Sequence, residues 1–102
     1  LEENYHNVVS IIEYCRSKKI KVLLFTPPAY QTYREKLNIA QLDLMYKLTY
    51  QLVEEYDNCY YVDYLYDTEF IAEDFYDADH LNEIGAKKLT MKIYNSIIEI
   101  NK

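Results

Sequence analysis

The sequence has no tryptophan, one glycine, two prolines and two cysteines, and these scarcities narrow the kinds of site it can hold. The single glycine, Gly85, argues against the glycine-rich loops that cradle nucleotide phosphates after a strand. Cys15 and Cys59 form no CxxC pair and have no histidine nearby, so neither a zinc site nor a thioredoxin-like motif is indicated. We interpret both cysteines as small buried hydrophobic side chains.

Positive charge is scarce too, with 11 lysines and arginines against 17 aspartates and glutamates and a net charge of -6. No basic face is visible, so we expect no nucleic-acid partner. No apolar run approaches the roughly 20 residues needed to cross a bilayer, and we expect no membrane contact by this chain. Residues 57–83 contain no lysine or arginine, and their acidic residues indicate a solvated segment more than a cation site. These residues are Asp57, Asp63, Asp67, Glu69, Glu73, Asp74, Asp77, Asp79 and Glu83.

The length of 102 residues allows one domain or part of one. No internal repeat, low-complexity tract or linker divides the chain, so we predict a single partial domain over residues 1–102. The sequence begins at Leu1 without an initiator methionine. We therefore expect it to continue upstream in a longer protein.

Hydrophobic spacing in the first half predicts a helix followed by a strand. The helix covers residues 3–18, because Tyr5, Val8, Ile12 and Cys15 fall on one face. Residues 20–26 have a continuous apolar centre without alternation, which predicts a strand buried on both faces, as in a parallel sheet. The double proline at 27–28 ends this strand, because proline donates no ladder hydrogen bond.

The second half predicts a helix over 42–56, a strand over 59–64, an irregular segment over 64–81 and a final helix over 82–99 with Asn82 as its N-cap. The strand, helix and second strand form a right-handed βαβ unit with parallel strands. The chain therefore has the predicted order αβαβα and belongs to the α/β class.

The strongest functional signal is the stretch Asp77-Ala78-Asp79-His80-Leu81-Asn82-Glu83-Ile84-Gly85-Ala86. We expect it in the loop after the last strand, where ligands bind in open α/β sheets. His80 is a candidate general base, and Asp77 can reach across a turn to fix the tautomer of its ring. Asp79 is adjacent in sequence, so we expect its side chain to diverge from that of His80. From the residues alone, a surface capping or ion-pairing histidine is the commoner outcome.

This stretch resembles the last conserved block of SGNH (GDSL-like) hydrolases, in which Asp-x-x-His is followed by Leu or Pro, then Asn and a Gly-Ala pair at a helix start. Asp77 and His80 fit the spacing of that block, and Leu81-Asn82 with Gly85-Ala86 fit its continuation. Upstream, Thr26-Pro27-Pro28 resembles the proline-containing segment that follows a strand in these enzymes. The resemblance implies the C-terminal half of a three-layer α/β/α, flavodoxin-like domain.

The resemblance also implies a serine esterase mechanism in which His80 is the base and Asp77 orients it, without metal or organic cofactor. The implied substrates are acyl or acetyl esters, such as acetyl groups on carbohydrate of the bacterial cell envelope, and both hydrolysis and acyl transfer fit. The Gly-Asp-Ser block with the nucleophile, and the Gly and Asn of the middle blocks, would precede residue 1. Ser10, Ser17 and Ser96 lie on predicted helices without the sharp turn of a nucleophile, so this chain alone should be inactive or nearly so.

Just past the double proline, Tyr30, Tyr33 and Arg34 are predicted at the same end of the sheet as His80, where they would shape a substrate pocket. The equally weighted alternative is that residues 32–35 merely begin a helix. Two metal sites are disfavoured: a calcium loop over residues 77–82 has Leu81 at a ligand position, and the spacing gives a site shared by His6 and His80 no support.

The alternative function is a noncatalytic protein-interaction module with an SGNH-like fold. The missing Gly-Asp-Ser, Gly and Asn blocks favour this alternative, and a Gly-Asp-Ser sequence upstream would argue against it. A flavodoxin-like phosphate-binding domain is weaker, because it needs a glycine-rich loop. The edge of the strand at 20–26 would be a template for pairing, so we also predict self-association as a homodimer.

Overall fold

The computed structural model describes residues 2–102 and shows a mixed α/β chain. Its elements are α1 (Glu2–Ser17), β1 (Val22–Thr26), α2 (Gln31–Arg34), α3 (Ile39–Glu55), β2 (Cys59–Asp63), a 3-10 helix (Ala72–Asp74), β3 (Phe75–Asp77), β4 (His80–Leu81) and α4 (Glu83–Ile100). The three long helices and the first two strands confirm the elements predicted from hydrophobic spacing. The described helices include none that is both long and apolar enough to cross a bilayer.

The first sheet consists of β1 and β2, which run parallel as predicted. The Val22 N–H donates to the Asn58 carbonyl at 2.8 Å, and the Tyr64 N–H donates to the Thr26 carbonyl at 3.0 Å. The prediction that β1 is buried on both faces is wrong, since none of its residues is fully buried and Phe25 is 43% exposed. In a sheet of only two strands each strand has one neighbour, so its side chains are less fully buried than in a larger sheet.

The second sheet is an antiparallel hairpin of β3 and β4, in a segment predicted to be irregular. Phe75 pairs with Leu81 and Asp77 pairs with His80, with an irregular register between the two pairs. The sequence signal is weak because the strands are only three and two residues long. The turn at Ala78 and Asp79 also lacks the Asn-Gly or Asp-Gly pair typical of tight hairpins.

The chain divides into two compact units, the first of which comprises the described residues up to Leu24 together with Ile39–Tyr61. Its core consists of Ile12, Leu52, Tyr56 and Cys59, against which Tyr5, Val8, Val9, Val22, Leu24 and Val53 pack. The predicted apolar faces of α1 and α3 meet in this core. Cys59 is buried as predicted, and Cys15 is only half-buried.

The end of α1 has a left-handed residue, Lys19, with φ of 60°. The Ile20 N–H donates to the Cys15 carbonyl at 2.8 Å, and the Lys19 N–H donates to the Arg16 carbonyl at 3.1 Å. This pair of hydrogen bonds is the Schellman arrangement, in which the left-handed position is usually a glycine. In this chain the left-handed position is occupied by Lys19, whose Cβ atom makes that conformation less favourable.

The second unit comprises Phe25–Asn38 and Val62–Lys102. Its buried residues include Tyr64, Leu65, Phe70 and one charged residue, Asp74, which is 1% exposed. The hairpin and α4 both belong to this unit, so it contains the whole stretch from Asp77 to Ala86.

Candidate active site

Asp77 and His80 lie at the tip of the β3–β4 hairpin rather than in the loop predicted from the sequence. Asp77 ends β3, His80 begins β4, and the two residues are cross-strand partners. The Asp79 N–H donates to the Asp77 carboxylate at 3.1 Å, which closes the turn between them. Side chains of paired residues point to the same face of a hairpin, and this brings the acid and the imidazole together.

The Nδ1 atom of His80 lies 2.8 Å from the Asp77 Oδ1 atom, a hydrogen-bond distance. The hydrogen bond and the negative charge of Asp77, followed by the charge of Asp79, raise the pKa of His80 above its usual value. The same hydrogen bond lowers the pKa of Asp77. Both side chains are largely exposed, at 69% for His80 and 60% for Asp77. The pair therefore keeps a proton on Nδ1 and leaves Nε2 as the nitrogen that can take up another.

Asp79 also approaches this ring, with its Oδ1 atom 2.9 Å from His80 Nδ1. The prediction that its side chain diverges is wrong, because the tight turn folds the two residues toward each other. Two carboxylates thus share one imidazole nitrogen. Among residues 2–102, the ligand atoms of Asp77, Asp79 and His80 lie within 4.8 Å of one another and form a group that could hold a metal ion; His6 does not belong to this group.

The acidic segment around the site is less solvated than its composition predicts. The Lys92 Nζ atom lies 2.8 Å from the Asp67 carboxylate, and Lys88 Nζ lies 2.7 Å from that of Asp74. Both lysines come from α4, which follows the segment in sequence. The solvated interpretation is therefore wrong for Asp74, which is buried, and for Asp67, whose side chain is only 18% exposed.

Of the predicted pocket residues, Tyr30 contacts the hairpin. Its N–H donates to the Ala78 carbonyl at 2.8 Å, and its ring lies 5.8 Å from that of Phe75, centroid to centroid. The segment after β1 is therefore joined to the turn between Asp77 and His80.

Tyr33 and Arg34 lie on α2, a single helical turn that ends well before α3 begins. Tyr33 is 38% exposed. The Arg34 guanidinium lies 5.3 Å from the centre of the Tyr66 ring, and a shallow depression beside them is lined by Gln31, Arg34, Glu35 and Tyr66. Tyr33 and Arg34 are thus helical, as the alternative interpretation expected, but the helix is only four residues long. Tyr66 has no signal in the sequence beyond its place shortly after β2.

None of the three serines shows the features of an activated nucleophile. The Ser17 hydroxyl donates to the Tyr14 carbonyl at 2.6 Å, a bond within the helix. The Ser96 hydroxyl lies 3.2 Å from the Tyr64 hydroxyl. Ser10 is an exposed residue of α1. All three lie on helices, as predicted, and none is part of the hairpin that carries His80.

No family model matches the chain, and comparisons with curated proteins and with solved structures likewise find no match.

Proposed function

We propose that this chain is the C-terminal part of an SGNH-type ester hydrolase or acyltransferase, in which His80 is the base and Asp77 orients it. The observation that carries the proposal is the 2.8 Å hydrogen bond between His80 Nδ1 and Asp77. An acid bonded to Nδ1 fixes the imidazole tautomer and stabilises the imidazolium that forms during acyl transfer. The residues Leu81-Asn82 and Gly85-Ala86, which continue the resemblance, follow directly along β4 and the start of α4.

In the proposed mechanism, Nε2 of His80 takes the proton of a serine hydroxyl as the serine oxygen attacks the ester carbonyl. The carbonyl π electrons move onto oxygen, and their return expels the alcohol, to which His80 gives the proton. Water or an acceptor alcohol then attacks the acyl-serine in the same way, which gives hydrolysis or acyl transfer. The serine and the oxyanion donors would come from residues upstream of Leu1. Neither a metal nor an organic cofactor takes part.

The parent domain is proposed to have the three-layer α/β/α, flavodoxin-like architecture. Parallel pairing of β1 and β2, with helices before, between and after them, supports this proposal. Several large apolar side chains are more than a third exposed, among them Ile11, Phe25, Met91 and Tyr94. Their exposure supports the proposal that further elements of the parent domain cover this chain. We further propose that the open strand pair associates as a homodimer, and a monomer by light scattering would contradict that proposal.

The proposed substrates are acyl or acetyl esters, including acetylated carbohydrate of the bacterial cell envelope. Tyr30, Tyr33 and Arg34 are the proposed substrate-binding residues. The hydrogen bond from Tyr30 to the hairpin supports its place beside His80. Arg34 is held against Tyr66, where it offers hydrogen-bond donors next to an aromatic face that can pack on a sugar ring.

The test is hydrolysis of p-nitrophenyl acetate by the protein extended upstream to its natural start. His80→Ala is expected to abolish turnover, whereas His6→Ala, a change to the other histidine of the chain, should leave the rate unchanged. Equal rates in all three proteins would refute His80 as the base. If the extended protein folds but shows no turnover even before substitution, the result would favour the noncatalytic interaction module instead.

A further inference from the structure

Asp74 is the one charged residue among the buried side chains of the second unit, and its partners lie on both sides of the hairpin in sequence. Its carboxylate accepts a hydrogen bond from the Ile71 N–H at 2.8 Å and another from Lys88 Nζ at 2.7 Å. Lys88 also donates to the Glu69 carbonyl at 2.8 Å, and its ammonium lies 5.6 Å from the centre of the Phe70 ring. Lys88 of α4 is therefore bound to the segment that leads into β3.

The main chain of Asp74 closes the base of the hairpin. Its carbonyl accepts a hydrogen bond from the Asn82 N–H at 2.8 Å. The Asn82 side chain donates to the Glu73 carbonyl at 2.7 Å and accepts from the Gly85 N–H at 3.0 Å, which also caps α4 as predicted. Asp74 and Asn82 are the residues that directly flank β3 and β4.

Gly85 allows this arrangement to be tight. A Cβ atom at this position would overlap the Asp74 carbonyl oxygen and would lie 2.8 Å from Leu81 Cδ2. The first turn of α4 thus lies directly against the backbone that enters the hairpin. Any movement of Asp74 relative to α4 must move β3, because Phe75 follows it without an intervening residue.

We propose that Lys88 and Asp74 act as a positioning pair, which fixes the β3–β4 hairpin on α4 and so sets the hydrogen bond between Asp77 and His80. The catalytic consequence of this pair rests on the proposed function, while its effect on the hairpin does not. A buried ion pair is weak evidence for stability, since well-packed apolar side chains often serve as well. What the pair provides is a fixed position for the backbone next to β3.

A second ion pair on the same helix supplies a matched control. Lys92 lies one turn after Lys88, and its ammonium is also 5.6 Å from the centre of the Phe70 ring. Its partners are Asp67 and Glu69, which precede the 3-10 helix and do not adjoin β3. Lys88→Met and Lys92→Met therefore each remove a lysine paired with an aspartate, but only the first removes a link to the base of the hairpin.

The direct test is the tautomer of neutral His80, read from the imidazole nitrogen chemical shifts in NMR spectra of the 102-residue chain at alkaline pH. A hydrogen bond to Asp77 holds the proton on Nδ1. We expect this tautomer in the wild type and in Lys92→Met. In Lys88→Met we expect a shift to the Nε2-protonated form that free histidine favours. Retention of the Nδ1 proton in folded Lys88→Met would overturn the positioning role.

Lys88→Met leaves the buried Asp74 carboxylate without its cationic partner, which destabilises the folded state for that reason alone. The double variant Asp74→Asn/Lys88→Met removes both charges and should fold, with the same change of tautomer. If neither variant folds, the pair is an element of global stability and the positioning role is refuted.

In the protein extended upstream, Lys88→Met should lower kcat for p-nitrophenyl acetate by about 10-fold to 100-fold, as expected for a displacement near 1 Å, with KM little changed. If turnover depends on His80 and Lys88→Met leaves kcat unchanged, the positioning role of the pair would also be overturned. Full activity in His80→Ala would refute the proposed function and leave the tautomer result standing, so the two failures are distinguishable.

Discussion

Replacement of Asp77 by asparagine is the sharpest test of the proposed acid–base pair. An amide at this position carries no charge, and its NH₂ group can turn the imidazole toward the wrong tautomer. General acid–base catalysis by a positioned side chain contributes about 10²-fold to 10⁴-fold to a rate. Because Asp77 and His80 are 60% and 69% exposed, solvent screens their interaction and the loss should fall near the lower end. We expect kcat for p-nitrophenyl acetate to fall by about 10²-fold.

The pH dependence of kcat/KM provides a second test of the same pair. His80 acts as a base only when it is neutral, and Asp77 raises its pKa, so the acid limb of kcat/KM should lie above the value of about 6.5 for an ordinary histidine. Asp77→Asn removes the largest cause of that shift. The acid limb should therefore move to lower pH as kcat falls.

Asp79→Asn is the matched control, because Asp79 lies at nearly the same distance from Nδ1. It too should move the acid limb to lower pH, since the charge of Asp79 also raises the pKa of His80. It should leave kcat within a few-fold of the wild type, because the hydrogen bond that His80 Nδ1–H donates to Asp77 remains. Equal losses of kcat in the two variants, or a larger loss in Asp79→Asn, would refute the assignment of Asp77 as the orienting acid.

Three further predictions concern stability and metal dependence. Gly85→Ala should lower the free energy of unfolding by about 1–3 kcal/mol in urea titrations, because its Cβ would overlap the Asp74 carbonyl; unchanged stability would contradict that close approach. Lys19→Gly should raise the same free energy by about 1 kcal/mol, because glycine adopts φ of 60° without steric cost, and a loss would exclude the left-handed end of α1. EDTA should leave the rate of ester hydrolysis unchanged. If EDTA lowered the rate and added Zn²⁺ restored it, the metal-free mechanism would be refuted.

The pKa of Asp74 gives one prediction for acid unfolding. Hydrogen bonds from Lys88 and the Ile71 N–H lower this pKa in the folded chain. Its stabilising contribution is therefore complete above the unfolded value of about 3.9 and is lost as the pH falls through the lower folded value. Asp74→Asn should show a flatter dependence of stability on pH below about 4 than the wild type. An equally steep dependence in both proteins would contradict the ion pair.

Much of the fold follows from local pattern. Apolar spacing predicts α1, α3 and α4 because one face of each helix must meet a core, as Ile12 and Leu52 do. Asn82 is recognisable as an N-cap because its short side chain can reach the Gly85 N–H. The parallel pairing of β1 and β2 follows from the helix that connects them.

What the sequence does not reveal depends on partners distant along the chain. The burial of Asp74 requires Lys88, 14 residues later, and no local pattern pairs them. The hairpin is held by short strands and by Asn82 rather than by a typical turn pair, so its residues look irregular. The spacing of Asp77 and His80 indicates that they can meet. The approach of Asp79 to the same nitrogen appears only once the turn is known.

The hydrogen bond from Tyr30 to Ala78 has a consequence for how much the region can vary. The donor is the main-chain N–H of Tyr30, so every residue except proline can supply it. Substitutions of the Tyr30 side chain should thus alter the contact with Phe75 and leave this link intact. An insertion or deletion between β1 and α2 would move the N–H away from Ala78. The length of that segment is therefore more tightly constrained than its composition.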